Sequence, residues 1–327
     1  MKKIILINII SIVSIFLFIE FSIRILSNIT VHGIAEGIID ESIKPKFNFP
    51  NVPGYKVFGK KVFTDDKGFR IVENKLNTNK SLKKIYFIGG SVTFGSGVKQ
   101  EDTFSGLFGE KNKNLDVHNA SVIGSNLSNN SDILKSKIKT SNLEKVYINL
   151  SLDDIVENQD LIQGDSSGLN DNNTFVKKLK TNIFIQKTNK FIRTKSVTWV
   201  WLKGVFLNSV DKYYKYALNS FKDEKNLVYL DKNLSVISEF NKIHENKIVF
   251  LIIPYSQQIN KKNCNKKDLA EKEIIKSLNK NKLKYIFVKK IFCKNKDKDK
   301  IFFKHDPSHL SPYGHLLLAN LLIKELN

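Results

Sequence analysis

Two stretches far apart in the chain hold the residue types that nucleophilic catalysis needs. FIGGSVTFGSG, residues 87–97, runs an apolar, strand-like segment into two glycines and then Ser91. A strand ending on so tight a turn lifts the next side chain clear of the sheet edge, where open α/β sheets bind ligands. HDPSHLSPYGH, residues 305–315, opens an apolar helical run and sets Asp306 and His309 three apart. A serine becomes a nucleophile when a base takes its proton, and the base works when a third group fixes its tautomer. Ser91, His309 and Asp306 supply one of each. The bland alternative is a turn serine and a helix cap with an unrelated histidine. Ser91 is outside a G-x-S-x-G elbow, because position 93 is threonine, and the phosphate-loop pattern G-x-x-x-x-G-K-[ST] is absent.

Bringing these groups together requires a sheet whose strands end at one edge. Short apolar runs at 84–89, 115–120, 145–150, 247–253 and 284–288 read as strands. Helical patterns at 132–140, 234–243, 269–279 and 312–326 lie between and after them. This alternation, with no tight hairpin signal, predicts a parallel sheet flanked by helices from about residue 81 to 327. Residues 28–80, with Pro45, Pro50 and Pro53, read as a stalk and lead-in that settles onto the domain as turns and short strands. Residues 157–225 interrupt the alternation with 175–193, VTWVWLKGVFL and 211–221, rich in lysine and aromatics. They read as a helical insertion, either packed on the domain surface or forming a lid or membrane-facing surface beside the site.

The N-terminus stands outside that core. After Lys2 and Lys3, residues 4–19 are uncharged and mostly apolar, and 4–26 would reach about 34 Å as a helix, enough to cross the hydrocarbon core. Glu20 and Arg24, four apart, can pair on one face near the outer interface. The same charged start and apolar middle fit a cleaved signal peptide. No small-x-small cleavage site follows Leu26, so residues 1–27 are read as an uncleaved transmembrane anchor. Lysines precede the span and residues 27–43 carry no Lys or Arg, which predicts a cytoplasmic N-terminus and an extracytoplasmic domain at the cytoplasmic membrane.

A formal charge of +21 invites a nucleic-acid reading. The lysines are scattered, however, and no zinc-finger, arginine-rich or aromatic-basic pattern is present. Acidic headgroups or an anionic polysaccharide suit the charge better than nucleic acid. The two cysteines, Cys264 and Cys293, either form one disulfide in an oxidising compartment or stay free. Neither has metal-ligand spacing, and no metal or other cofactor is expected.

The pairing of strand–GGS–VTFG with a late D-x-x-H-L-S-x-x-G-H resembles the SGNH, or GDSL-type, hydrolases, over roughly residues 61–327. Gly89-Gly90-Ser91 stands where that family has G-D-S, with Gly90 in place of the aspartate. NASVIG at 119–124 fits the second block and makes Gly124 the matching glycine. The third block, G-x-N-D, reads Ser151-Leu152-Asp153-Asp154, and Asp306 with His309 matches D-x-x-H. FTDDKGFR at 63–70 resembles the lead-in of membrane-anchored bacterial members. The resemblance implies a three-layer α/β/α sandwich, flavodoxin-like, with a central parallel sheet behind one transmembrane helix. It implies Ser91 as nucleophile, His309 as base, Asp306 as its orienter, and the N–H groups of Ser91 and Gly124 as an oxyanion hole. Asp153 stands where the family's third donor would be; a carboxylate there accepts rather than donates, unless it is protonated or Asn149 or Asn126 substitutes. Asp154 is expected to bond to nearby backbone. His118 and His305 flank the site, His315 in the last helix is expected to be packed or solvent-facing rather than catalytic, and a glycan on the Asn119 sequon would sit beside the site. The implied activity is hydrolysis of an O-acyl, chiefly O-acetyl, ester of a surface glycan. Acyl transfer onto a polysaccharide, or a catalytically weak polysaccharide-binding protein, are the alternatives.

Overall fold

The computed structural model describes residues 2–31, 37–73, 82–157, 188, 191–192, 194–207 and 209–326. Its centre is β6 (Lys83–Ile88), buried from Lys84 onwards, as a strand covered on both faces must be. Strand β7 (Leu115–Asn119) pairs with it in parallel on one side and β8 (Leu143–Leu150) on the other. Beyond β8 lie β9 (Ile248–Ile252) and β10 (Lys284–Phe287), again parallel. The order β10-β9-β8-β6-β7 means that the chain steps outward to β7 and then crosses back over β6. The segment after β6 therefore stands at the reversal of strand order, the crevice where such sheets bind ligands.

The expected parallel sheet is present, but it continues. Strands β3 (Pro53–Val57), β4 (Lys60–Thr64) and β5 (Arg70–Ile71) extend it antiparallel beyond β7, joined through the Arg70–Asn119 pair. The eight-stranded sheet is thus mixed, while β1 (Ile39–Asp40) and β2 (Phe47–Asn48) pair separately. The short strands expected within residues 28–80 include a tight hairpin at Phe58–Gly59, where φ is +49° and +75°. Two successive positive φ values make the primed turn that suits a two-residue hairpin. Phenylalanine gives no warning of it, because a bulky side chain seldom accepts positive φ.

Side chains alternate to the two faces. Ile85, Phe87, Tyr147 and Leu251 pack beneath α3 (Phe104–Lys111), α9 (Lys289–Lys294) and α10 (Pro312–Leu326). Tyr86, Ile88, Val146, Ile148 and Phe250 pack beneath α4 (Leu127–Lys137), α7 (Glu224–Ile243) and α8 (Leu269–Lys280). The result is a three-layer α/β/α sandwich. Helix α4 starts earlier than its apolar spacing suggests because the Asn126 side chain caps the N–H of Asn129, and α7 starts earlier behind Asp223. Helix α3, with two glycines in FSGLFGEK, lacked a sequence signal. The helix expected over 175–193 lies almost wholly outside the described residues. From the same stretch come α5 (Val197–Leu207) and α6 (Ser209–Asn219).

Helix α1 (Lys2–Leu26) is 25 residues long and leaves all its Ile, Leu and Phe side chains exposed but Ile23. Among the described residues it alone is long and apolar enough to cross a membrane. Cys264 and Cys293 are bonded to each other, with Cα atoms 5.6 Å apart.

Candidate active site

The carboxyl ends of four neighbouring strands, β9, β8, β6 and β7, converge on Ser91. It opens the single helical turn α2 (Ser91–Phe94), so its N–H is among those left without an intrahelical partner. The turn needs Gly89: a Cβ there would lie 2.4 Å from Thr93 Oγ1 and 2.9 Å from Asn149 Cβ on β8. Gly95 closes it at φ +84°, a region that favours glycine. Beneath the turn lies Arg70. Its buried guanidinium donates to the carbonyls of Phe94, of Gly95 at 3.0 Å and of Val98 at 2.6 Å, and lies 4.6 Å from the Phe94 ring centre. Burial lowers its pKa to about 9, with Glu101 acting in the opposite sense, so Arg70 stays charged near neutrality.

From the other side comes the loop before α10. Asp306 Oδ1 accepts from the N–H groups of Ser308 at 3.0 Å and His309 at 2.8 Å, which leaves Oδ2 to meet His309 Nδ1 at 2.7 Å. A carboxylate only accepts, so Nδ1 carries the hydrogen and Nε2 accepts the Ser91 hydroxyl at 2.8 Å. The loop is fixed by Ser256 N–H donating to Pro307 O at 2.8 Å and Phe303 N–H donating to His309 O at 3.1 Å. Burial disfavours the charged imidazole of His309. The charge and hydrogen bond of Asp306, with the charge of Asp153, outweigh it and raise the pKa. Phe58, at the strained hairpin turn, sets its ring 5.2 Å from the imidazole.

Gly124 lies in the exposed turn after β7, at φ +71°. That turn is tied to the nucleophile's turn: Val122 N–H donates to Gly89 O at 2.9 Å, and a Cβ on Gly90 would lie 3.4 Å from Ser125 O. Asp153 follows β8 and accepts from the Tyr213 hydroxyl at 3.0 Å. Burial, then the charge of Asp153, pushes the Tyr213 and Tyr255 phenols well up, so both stay protonated. The two rings stack with centroids 6.1 Å apart. The substitutes for the third donor are engaged elsewhere. Asn149 donates to Ser151 Oγ at 2.9 Å, and Asn126 donates to Glu157 O at 2.7 Å while capping α4. Asp154 accepts from Ser151 N–H at 2.7 Å, the local role expected of it.

The flanking histidines do not join the triad. His118 stacks on Tyr86 and pairs with Asp116 at 3.0 Å. His305 packs against Gly204 of α5, where a Cβ would lie 2.3 Å from its Cγ. His315 accepts from Phe104 N–H at 3.1 Å, and burial, then Arg70, holds its pKa at about 3, so it packs as a neutral ring. Asn119 is buried and donates to Gln100 Oε1 at 3.0 Å, which rules out the glycan beside the site. Sequence reasoning missed Arg70, Phe58, Tyr213 and Tyr255. Arg70 stood at the end of the FTDDKGFR lead-in; the other three carried no local signal.

No family model matches the sequence, and no curated protein matches it. Among solved structures, the chain is similar to a lipase/acylhydrolase from Enterococcus faecalis at 15% identity and a TM-score of 0.42, over 75% of this chain and 95% of that one. An acetylxylan esterase from Geobacillus stearothermophilus gives 10% identity and a TM-score of 0.43, over 75% and 94%. The acetyl xylan esterase AlAXEase gives 14% and 0.42, over 75% and 100%. Likeness at this level assigns no activity, and the reading of the site rests on its own geometry.

Proposed function

We propose that the chain is a serine ester hydrolase of the SGNH type. The observation that carries this reading is the unbroken hydrogen-bonded series Ser91 Oγ, His309 Nε2, His309 Nδ1, Asp306 Oδ2, with steps of 2.8 and 2.7 Å. In the reaction, Ser91 Oγ bonds to the ester carbonyl carbon while its proton passes to His309 Nε2. The carbonyl oxygen takes the negative charge, facing the N–H groups of Ser91 and Gly124. The tetrahedral species then expels the alcohol, which takes the proton from His309 and leaves an acyl-Ser91. Water, giving its proton to His309, attacks that ester, and the tetrahedral species releases the acid as Ser91 Oγ takes the proton back from His309 Nε2. Throughout, Asp306 holds the tautomer and the positive charge of the imidazole.

The substrate class in this proposal is an O-acylated, chiefly O-acetylated, glycan of the cell surface. Support comes from the long apolar α1, which fits an N-in anchor, and from the Cys264–Cys293 bond, which suits an oxidising compartment outside the cytoplasm. Full-length chain in detergent should hydrolyse p-nitrophenyl acetate, and Ser91→Ala should abolish it. Equal turnover by the alanine variant would sink the nucleophile assignment.

A further inference from the structure

Glu20 is the one acidic residue of α1, and its carboxylate is fully engaged. Oε1 accepts from Val197 N–H at 3.0 Å, and Oε2 from Thr198 N–H at 2.9 Å and Ser196 Oγ at 2.8 Å. Arg24 pairs with Oε1 at 2.6 Å and donates to Lys195 O. The anchor thus caps the N-terminus of α5. The first N–H groups of a helix have no partner within it, and one left unpaired in hydrocarbon has no water to turn to. A carboxylate aimed at that end also meets the positive end of the helix dipole. Such a cap, supplied by a membrane helix, is what a helix start immersed in lipid requires.

Depth follows from counting. A hydrocarbon core takes about 20 helical residues, so a span entered at Ile4 ends near Ile23, and Glu20 lies within it. Ile23 packs with Val197, Val200 and Trp201 of α5 and with Ile29 and Val31 beyond the anchor. Helix α5 reads VTWVWLKGVFL and, at 11 residues, is too short to span. It nevertheless leaves Phe206 76% exposed and Val205 50% exposed. Farther along, its Gly204 packs on His305, and Asn28 donates to Phe302 O while accepting from Lys304 N–H. Helix α5 therefore runs from the depth of Glu20 to the loop that carries Asp306 and His309.

We propose that α5 is a second membrane-seated element, immersed beside α1 in the leaflet on the side of the folded domain, and that it holds the catalytic end of the sheet against the bilayer. Resting on the ester-hydrolase reading, the substrate form this placement favours is an ester borne on a membrane amphiphile. Both tryptophans of the chain, Trp199 and Trp201, lie on α5, so intrinsic emission reports on this helix alone. Full-length chain in vesicles of brominated phosphatidylcholine should lose most of its tryptophan emission relative to unbrominated vesicles, and Glu20→Ala should recover much of it. Glu20→Ala should also slow hydrolysis of a vesicle-borne ester several-fold while leaving soluble p-nitrophenyl acetate turnover unchanged. Unquenched emission from a chain that resists carbonate extraction would overturn the placement of α5 with the anchor intact. Extraction by carbonate would overturn the anchor and α5 together. Equal turnover of the vesicle-borne ester by Glu20→Ala would overturn the substrate form. Failure of the wild type on both esters would instead count against the hydrolase reading, with the quenching still deciding where α5 lies.

Discussion

The hydroxyl of Tyr213 donates to Oδ2 of Asp153 at 3.0 Å, at the place where the oxyanion hole of the proposed hydrolase calls for a third donor. The insertion and the end of β8 are thereby coupled at the site. A carboxylate there repels a developing oxyanion, and part of its charge is spent on a tyrosine.

Asp153→Asn should therefore raise turnover of a simple ester. Tyr213 would hold the amide oxygen by the bond it now gives the carboxylate, turning Nδ2 toward the substrate. One oxyanion donor is worth on the order of 10²–10³ in kcat, and a gain of at least about tenfold is expected. Tyr213→Phe in the same chain should reduce that gain, because the amide loses the contact that orients it. Steady-state kinetics on p-nitrophenyl acetate decide the matter: unchanged or slower turnover would mean that the carboxylate has a role of its own.

The acid limb of kcat/KM should fall above the ordinary histidine value of about 6.5. Burial works against the imidazolium of His309, but Asp306 and then Asp153 outweigh it and raise the pKa. Only the neutral ring can take the Ser91 proton, so activity is lost as pH drops through that raised value. Asp153→Asn removes one of the raising charges and should move the limb to lower pH. A limb unmoved by that change would detach Asp153 from the base.

Arg70 braces the nucleophile's turn from beneath. Replacing it by alanine strands the carbonyls of Phe94 and Val98 and leaves that of Gly95 with the Val98 N–H alone, and such losses sum to about 3 kcal/mol. Arg70→Lys keeps the charge but not the planar fork that spans three carbonyls, and should recover only part of the stability. Thermal unfolding of the three proteins tests this, and a loss below about 1 kcal/mol in the alanine variant would reduce Arg70 to a bystander.

Much of this arrangement was legible because it is local. The apolar run KIYFI ending on Gly89-Gly90-Ser91 announces a buried strand and an exposed side chain, and Asp306-x-x-His309 carries its own internal geometry. The antiparallel extension was not legible. Its turn uses Phe58 at positive φ, a choice that no propensity favours, and the ring that results lies against His309. Tyr213 and Tyr255 were hidden for another reason. Each meets Asp153 across more than fifty residues of chain; Tyr213 is one aromatic among several in a lysine-rich insertion, and Tyr255 follows β9 with no motif around it. The early starts of α4 and α7 were masked by polar first turns, where Asn126 and Asp223 cap helices whose apolar spacing begins later.

The disulfide offers a test independent of catalysis. Cys264 follows β9 and Cys293 lies in α9, at a sequence separation of 29. In the chain-entropy account, closing such a loop stabilises the fold by about 3.5 kcal/mol, because the unfolded chain loses freedom. For a domain of this size that is a change in Tm on the order of 10 °C. Cys264→Ser/Cys293→Ser should unfold at the lower temperature with or without reductant, while the wild type should fall to that value only when reduced. Because neither cysteine touches the triad, turnover per folded molecule should be the same in both forms. If reductant leaves the wild-type midpoint where it was, the bond contributes nothing to stability, and the oxidising-compartment support for an extracytoplasmic domain falls with it.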